Sequence, residues 1–327
     1  MTARLMGRRA LLQISAIALT MAMAGMAPAR AADTTIAVIV KDTTSFFFQI
    51  VLAGARQAGK DLGVTVSELG TSNEADVAGQ ISVLENAVAA KPAAIVIAPV
   101  DFKALGPPID AAAKSVPVIG IDSSAESKAF SSFLTTDNVQ GGRIAADGLA
   151  AAIKAKTGAM KGDVAIITNV PNAGSLEARK KGFLEEIAKY PDLHVTADKY
   201  SDGQATTGLN IATDLITADP NLVGIFASNL IQAQGVGQAV AENKVAGKIA
   251  LVTFDSDDKT LGFLSDGTIA ALVVQDPYRM GYEGVKTALA VSKGEKVEAN
   301  VDTGANLVTK DNMADPKIDK LIHPKVN

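Results

Sequence analysis

Two short apolar runs in this chain each stop at a carboxylate. Val116-Pro117-Val118-Ile119-Gly120-Ile121 ends on Asp122, and Ile249-Ala250-Leu251-Val252-Thr253-Phe254 ends on Asp255. A third run, Ala94 to Val100, reaches Asp101. Near the ends of these and similar runs stand other planar or charged hydrogen-bonding groups: Asp137, Asn138, Arg179, Asn229 and Gln275, with Phe47, Phe48 and Phe254 supplying rings. Carboxylates, amides and the guanidinium fork can each make two hydrogen bonds, and a ring can cover an apolar C–H face. A sugar or polyol offers both kinds of surface, so this set fits an uncharged, hydroxyl-rich ligand. Lys41 and Asp42 end the first apolar run; contact with a ligand and pairing with each other are both open to them.

Other chemistries find less support. The first strand is followed by Lys41-Asp42-Thr43-Thr44-Ser45, without the glycines of a dinucleotide turn, and the chain has neither a phosphate loop nor a G-x-S-x-G elbow. His194 and His323, the two histidines, fall at a strand start and in the C-terminal tail, so ordinary surface roles are expected. Asp255, Asp257 and Asp258 form an acidic group at a strand tip and helix start, where caps and acceptors outnumber general acids. No enzyme activity, cofactor or metal is expected.

Strand-length apolar runs alternate with amphipathic stretches of helix length from Thr35 onward, the pattern of a parallel α/β sheet. Such strands are apolar throughout because helices cover both faces, and ligands bind beyond their carboxyl ends. Expected strands lie at 35–40, 64–69, 94–98, 116–121 and 130–135, with helices at 46–62, 76–90, 103–114 and 137–154. The plan then repeats, with strands at 164–168, 194–200, 222–227, 249–254 and 270–274. Helices at 174–190, 206–218, 232–243 and 258–266 lie between them. The helix at 277–293 and the segment 297–308 complete no third unit and are expected to return to the first. Two similar doubly wound lobes joined by a multi-crossing hinge follow, one from 32–136 with 276–304 and the other from 137–275 with 305–327. The three phenylalanines Phe46-Phe47-Phe48 point in three directions on a helix, so at least one is expected to face a cleft.

Arg4, Arg8 and Arg9, an apolar stretch from Leu11 to Ala27, and Ala29-Arg30-Ala31 have the form of a secretory signal over 1–31, cleaved near Ala31. Removing it takes four of the 31 basic residues and none of the 35 acidic ones, leaving a net charge of about −8. That balance invites neither nucleic acid nor an anionic membrane. The chain has no cysteine, which excludes disulfides, a thiolate site and a lipidated N-terminal cysteine. A periplasmic location is expected.

The chain resembles the type I periplasmic sugar-binding proteins of ABC importers, the ribose-binding group in particular. The likeness rests on Ser45-Phe46-Phe47-Phe48, Ile97-Ala98-Pro99-Val100-Asp101, Val116 to Asp122, Thr136-Asp137-Asn138-Val139-Gln140-Gly141-Gly142, Glu177-Ala178-Arg179-Lys180-Lys181-Gly182-Phe183, Phe226-Ala227-Ser228-Asn229, Val252 to Asp255 and Val274-Gln275. It implies that Phe47, Phe48, Asp122, Arg179, Asn229, Asp255 and Gln275 contact sugar, that the protein is a monomer, and that an ABC permease is its partner. Departures accompany it. Ser45 stands where ribose binders have asparagine, Ser123 replaces an arginine, an aromatic near Gly203 is missing, and Leu230 replaces an acid. They point away from ribose and toward a hexose, a deoxy or branched sugar, or a polyol. The alternatives are a secreted carbohydrate-active α/β enzyme, or a sugar sensor serving a chemoreceptor or kinase.

Overall fold

The computed structural model describes residues 34–324 and residue 326; the expected export segment lies outside them. The elements run β1 (Thr35–Val40), α1 (Phe46–Leu62), β2 (Thr65–Gly70), α2 (Val77–Ala89), β3 (Ala94–Ile97), α3 (Gly106–Ala112), β4 (Val118–Ile121) and β5 (Ser132–Thr135). Then follow α4 (Asn138–Thr157), β6 (Gly162–Thr168), α5 (Gly174–Ile187), β7 (Leu193–Tyr200), α6 (Ala205–Ala218), β8 (Leu222–Ala227), α7 (Leu230–Glu242), β9 (Ala250–Phe254), α8 (Asp258–Asp266) and β10 (Ala271–Val274). The chain closes with α9 (Pro277–Ser292), β11 (Asn300–Asp302), β12 (Asn306–Val308) and α10 (Pro316–Ile322).

Two six-stranded sheets result, ordered β11-β5-β4-β3-β1-β2 and β12-β10-β9-β8-β6-β7. Each contains the same doubly wound core, one strand order repeated, and each gains an edge strand from the C-terminal segment. The first sheet is parallel throughout, whereas β12 joins β10 antiparallel. The central strands β3, β4 and β9 are buried at every residue, because helices cover both sheet faces. β2 and β7, at the opposite edges, carry exposed positions instead.

Several expected boundaries shift for local reasons. Asn229 caps α7 by accepting from the Gln232 amide, so that helix begins before Gln232. The expected helix at 103–114 contracts to α3, since Asp101 folds its carboxylate back onto the Lys103 and Ala104 amides in a turn. Gly63, in the left-handed region, ends α1 as expected.

One helix pair in each half packs at backbone distance. A Cβ on Gly54 would lie 2.1 Å from the Tyr278 carbonyl oxygen, and one on Gly281 would lie 1.8 Å from that of Val51, so α1 and α9 touch through reciprocal glycines. In the other half, a Cβ on Gly142 would lie 2.0 Å from the Arg179 carbonyl oxygen and one on Gly182 1.9 Å from that of Val139. All four carbonyl oxygens belong to the backbone, so relief requires the helices to move apart. Gly281→Ala should therefore lower stability by about 1–3 kcal/mol in thermal unfolding. Gly182→Ala should do the same and also weaken ligand binding, because α5 carries Arg179. If Gly281→Ala melts like the parent, the close approach is not under constraint.

Candidate ligand-binding site

The carboxyl ends of both sheets meet at one cavity of about 310 Å³. From the first sheet it receives Lys41 after β1, Glu74 after β2 and Asp122 after β4, with Ser45, Phe47 and Phe48 at the start of α1. From the second come Ser175, Leu176 and Arg179 of α5, Asn229 and Leu230 at the start of α7, and Asp255 and Gln275 beyond β9 and β10.

The two aspartates are held by the same device. Both sit in the left-handed backbone region, Asp122 at φ 59° and Asp255 at φ 64°, which is uncommon outside glycine but tolerated by aspartate. The Asp122 amide donates to the Leu134 carbonyl at 3.0 Å, and that of Asp255 to the Val273 carbonyl at 2.9 Å. Each backbone thus stays tied to the neighbouring strand while the chain turns at the sheet end.

Lys41 Nζ lies 2.7 Å from Asp122 Oδ2, with both side chains buried, and 3.4 Å from Ser175 Oγ. Arg179 is 2% exposed; its Nε donates to Asn138 Oδ1 and its Nη1 to the Ser228 carbonyl, both at 2.8 Å. The guanidinium carbon stands 4.0 Å from the centre of the Phe254 ring. Gln275 Nε2 donates to Asp255 Oδ1 at 2.7 Å. Burial pushes the Asp255 carboxyl up to about 6 against the opposing pull of Arg179 and Gln275, and pushes Glu74 up to about 7 against Lys41 and Asn169. Burial also draws the Arg179 guanidinium below its ordinary value, against the pull of Asp255, Asp122 and Glu74.

Hydrogen bonds cross the cavity from one half to the other. The Ser175 amide donates to Ser123 Oγ at 2.9 Å, Asn169 Nδ2 to Glu74 Oε2 at 3.1 Å, and the Phe102 amide to the Asn172 carbonyl at 2.8 Å. Leu230 joins the apolar cluster that contains Phe47 and Phe48. The cleft is closed.

Residues 36–296 match the periplasmic binding protein domain. The chain belongs to the periplasmic binding protein family. It is 31% identical over 300 residues to the ribose import binding protein RbsB of Escherichia coli (strain K12), covering 91% of this chain and 97% of that protein. Among solved structures, a carbohydrate transporter solute binding protein from Agrobacterium radiobacter, in complex with D-arabinose, is 75% identical. It superposes with a TM-score of 0.89, covering 90% of this chain and all of that one. An ABC transporter solute binding protein from Agrobacterium vitis with bound D-fucose is 38% identical, with a TM-score of 0.84 and coverage of 88% and 100%.

Nine of the twelve site residues expected from the sequence line the binding protein's cavity: Lys41, Ser45, Phe47, Phe48, Asp122, Arg179, Asn229, Asp255 and Gln275. The other three are placed elsewhere. Phe254 is fully buried in the second half's core, where it meets Phe226 edge to face and serves as the floor beneath Arg179, not as a ring open to the cavity. Asp137 caps α4 through the Gln140 amide, and Asp42 accepts from the Thr44 and Ser45 amides in the turn before α1. Lys41 and Asp42 therefore do not pair with each other. Glu74, Ser175, Leu176 and Leu230 complete the lining without having been singled out as ligand residues. Asn229 fills two roles, lining the cavity and capping α7.

Asp255 yields a pH prediction. Its carboxyl rises from 3.8 to about 6 on burial, so the stability it contributes is fully present below 3.8 and is lost as pH rises through about 6. Asp255→Asn should shrink the difference in melting temperature between the acidic and neutral ends of that window. An unchanged difference in parallel melts would show that burial does not strain this carboxylate.

Proposed function

We propose that the chain is the solute-binding component of an ABC importer, capturing an uncharged monosaccharide between two lobes and delivering it to the membrane permease. The lobes run from 32–136 with 276–304 and from 137–275 with 305–327, and the protein acts as an exported periplasmic monomer without catalysis. The observation that carries this reading is the convergence of Asp122 and Asp255 from two sheets on one cavity. Both cations there are engaged, Lys41 by Asp122 and Arg179 by Asn138 and the Ser228 carbonyl. A sugar acid would meet three buried carboxylates, Glu74, Asp122 and Asp255, whereas hydroxyls can both donate and accept. D-arabinose, the ligand of the 75% identical relative, is the first candidate; D-fucose, a deoxy sugar of the kind the sequence departures indicate, is the second.

The sugar enters an open cleft and bridges residues of both lobes. Closure is favoured by contacts that exist only in the closed state. A thermal-shift screen of pentoses, hexoses, deoxy sugars, polyols and sugar acids tests the reading, followed by calorimetric titration of the best ligand. Neutral sugars should raise the melting temperature without product forming, and sugar acids should not. Arg179→Ala and Asp255→Ala should each weaken binding by about 2–4 kcal/mol, because each leaves a buried partner unsatisfied. Turnover of a sugar would favour an enzyme instead, and variants that bind like the parent would move the site elsewhere.

A further inference from the structure

Glu74 stands in the polar loop after β2 and is 6% exposed, a carboxyl sealed inside the cavity. Its Oε2 accepts from Asn169 Nδ2 of the opposite half. Asn169 is itself fixed, since its Oδ1 accepts from Gln232 Nε2 at 2.8 Å and its carbonyl from Ser201 Oγ at 2.8 Å. Glu74 Oε1 has no hydrogen-bond partner among the described residues. The geometry points to Glu74 as a specificity-determining residue of the sugar site: Asn169 orients its carboxyl when the cleft shuts, and Oε1 takes one hydroxyl at the Lys41–Asp122 end of the cavity. This rests on the sugar-binding reading above.

A single carboxyl oxygen in a fixed position distinguishes epimers more sharply than an apolar wall does. The sugar that places a hydroxyl there satisfies a buried polar group, and its epimer leaves that group unpaired. Lys41 and Asp42 beyond β1, Asp122 beyond β4, Asn169 beyond β6 and Arg179 of α5 surround or act on the carboxyl. Burial holds it at about 7, so near neutral pH it is protonated part of the time and can donate as well as accept. Opening returns the carboxyl to water, where its ordinary value is 4.5. Closure therefore takes up a proton. This advantage of the closed form is fully present below 4.5 and is lost as pH rises through about 7.

The test is calorimetric titration of the full chain and of Glu74→Ala, Glu74→Gln and Asn169→Ala with D-arabinose, its epimer D-ribose, and D-fucose. The expected result is that Glu74→Ala weakens the best sugar about tenfold or more, as for a lost hydrogen bond to a charged group, and changes the ratio of affinities between the epimers. Glu74→Gln, nearly isosteric, should keep the fold, change the same ratio and reduce the proton uptake seen in buffers of different ionisation enthalpy. Asn169→Ala should weaken all the sugars by a similar factor. Equal losses for every sugar in both Glu74 variants would make the residue a latch only and overturn the assignment, as would affinities unchanged from the parent. A parent protein that binds none of the sugars would overturn the sugar-binding reading itself.

Discussion

Burial of opposed charge in a small shared space governs this structure. Lys41, Glu74, Asp122, Arg179 and Asp255 line one cavity of about 310 Å³, drawn from both sheets. Each loses hydration when the cleft closes, and desolvating charges is costly unless hydrogen bonds replace the water. The protein replaces it only partly. Arg179 is held by an amide and a carbonyl and Asp255 by Gln275, but Glu74 is bonded through Oε2 alone and Gln275 Oε1 has no hydrogen-bond partner among the described residues. A guest carrying several hydroxyls can complete the set, and an apolar or anionic guest cannot. Closure and recognition are on this account one event.

The internal repeat explains why such a site forms between the halves. Both sheets use the same strand order, both end a central strand on an aspartate in the left-handed region, and both lock a helix pair through reciprocal glycines. A doubly wound sheet offers its ligand crevice beyond the carboxyl ends of its strands. Two such sheets facing each other combine two shallow crevices into one enclosed space. Each half contributes part of the polar lining, so the cavity exists only where the two meet.

The strands were legible in the sequence because a parallel strand covered on both faces reads as a continuous apolar run, and their tips marked the site. The same continuity hid which way each side chain points. Phe254 reads as a platform because it precedes Asp255, yet in a strand buried on both faces the ring enters the core and supports Arg179 from below. Lys41 and Asp42 were undecidable, since the turn after β1 sends one carboxylate to its own amides and the lysine to a carboxylate at the tip of β4. Glu74 and Asn169 carry no such mark, because both stand just past strands whose tips bear no acid at the end of the apolar run. The strand-tip rule reaches them once the loops after β2 and β6 are counted with their strands.

The departures from the ribose-binding pattern fit together once the cavity is seen. Ser123, in place of an arginine, accepts at its Oγ from the Ser175 amide across the cleft, and the cation beside Asp122 is Lys41 at the tip of β1. Leu230, in place of an acid, enters the apolar cluster of Phe47 and Phe48 and so adds a contact between the halves that water does not weaken. The connecting segments are themselves bonded, with the Asp137 amide donating to Asp302 Oδ1 and the Thr136 hydroxyl to the Gly304 carbonyl. Leu230 packs on the ring cluster and Asn169 bonds Glu74, so one apolar and one polar contact both join the halves. A ligand shifts an open–closed equilibrium only by contacts it makes better in one state, and contacts such as these two, which exist only where the halves meet, are of that kind.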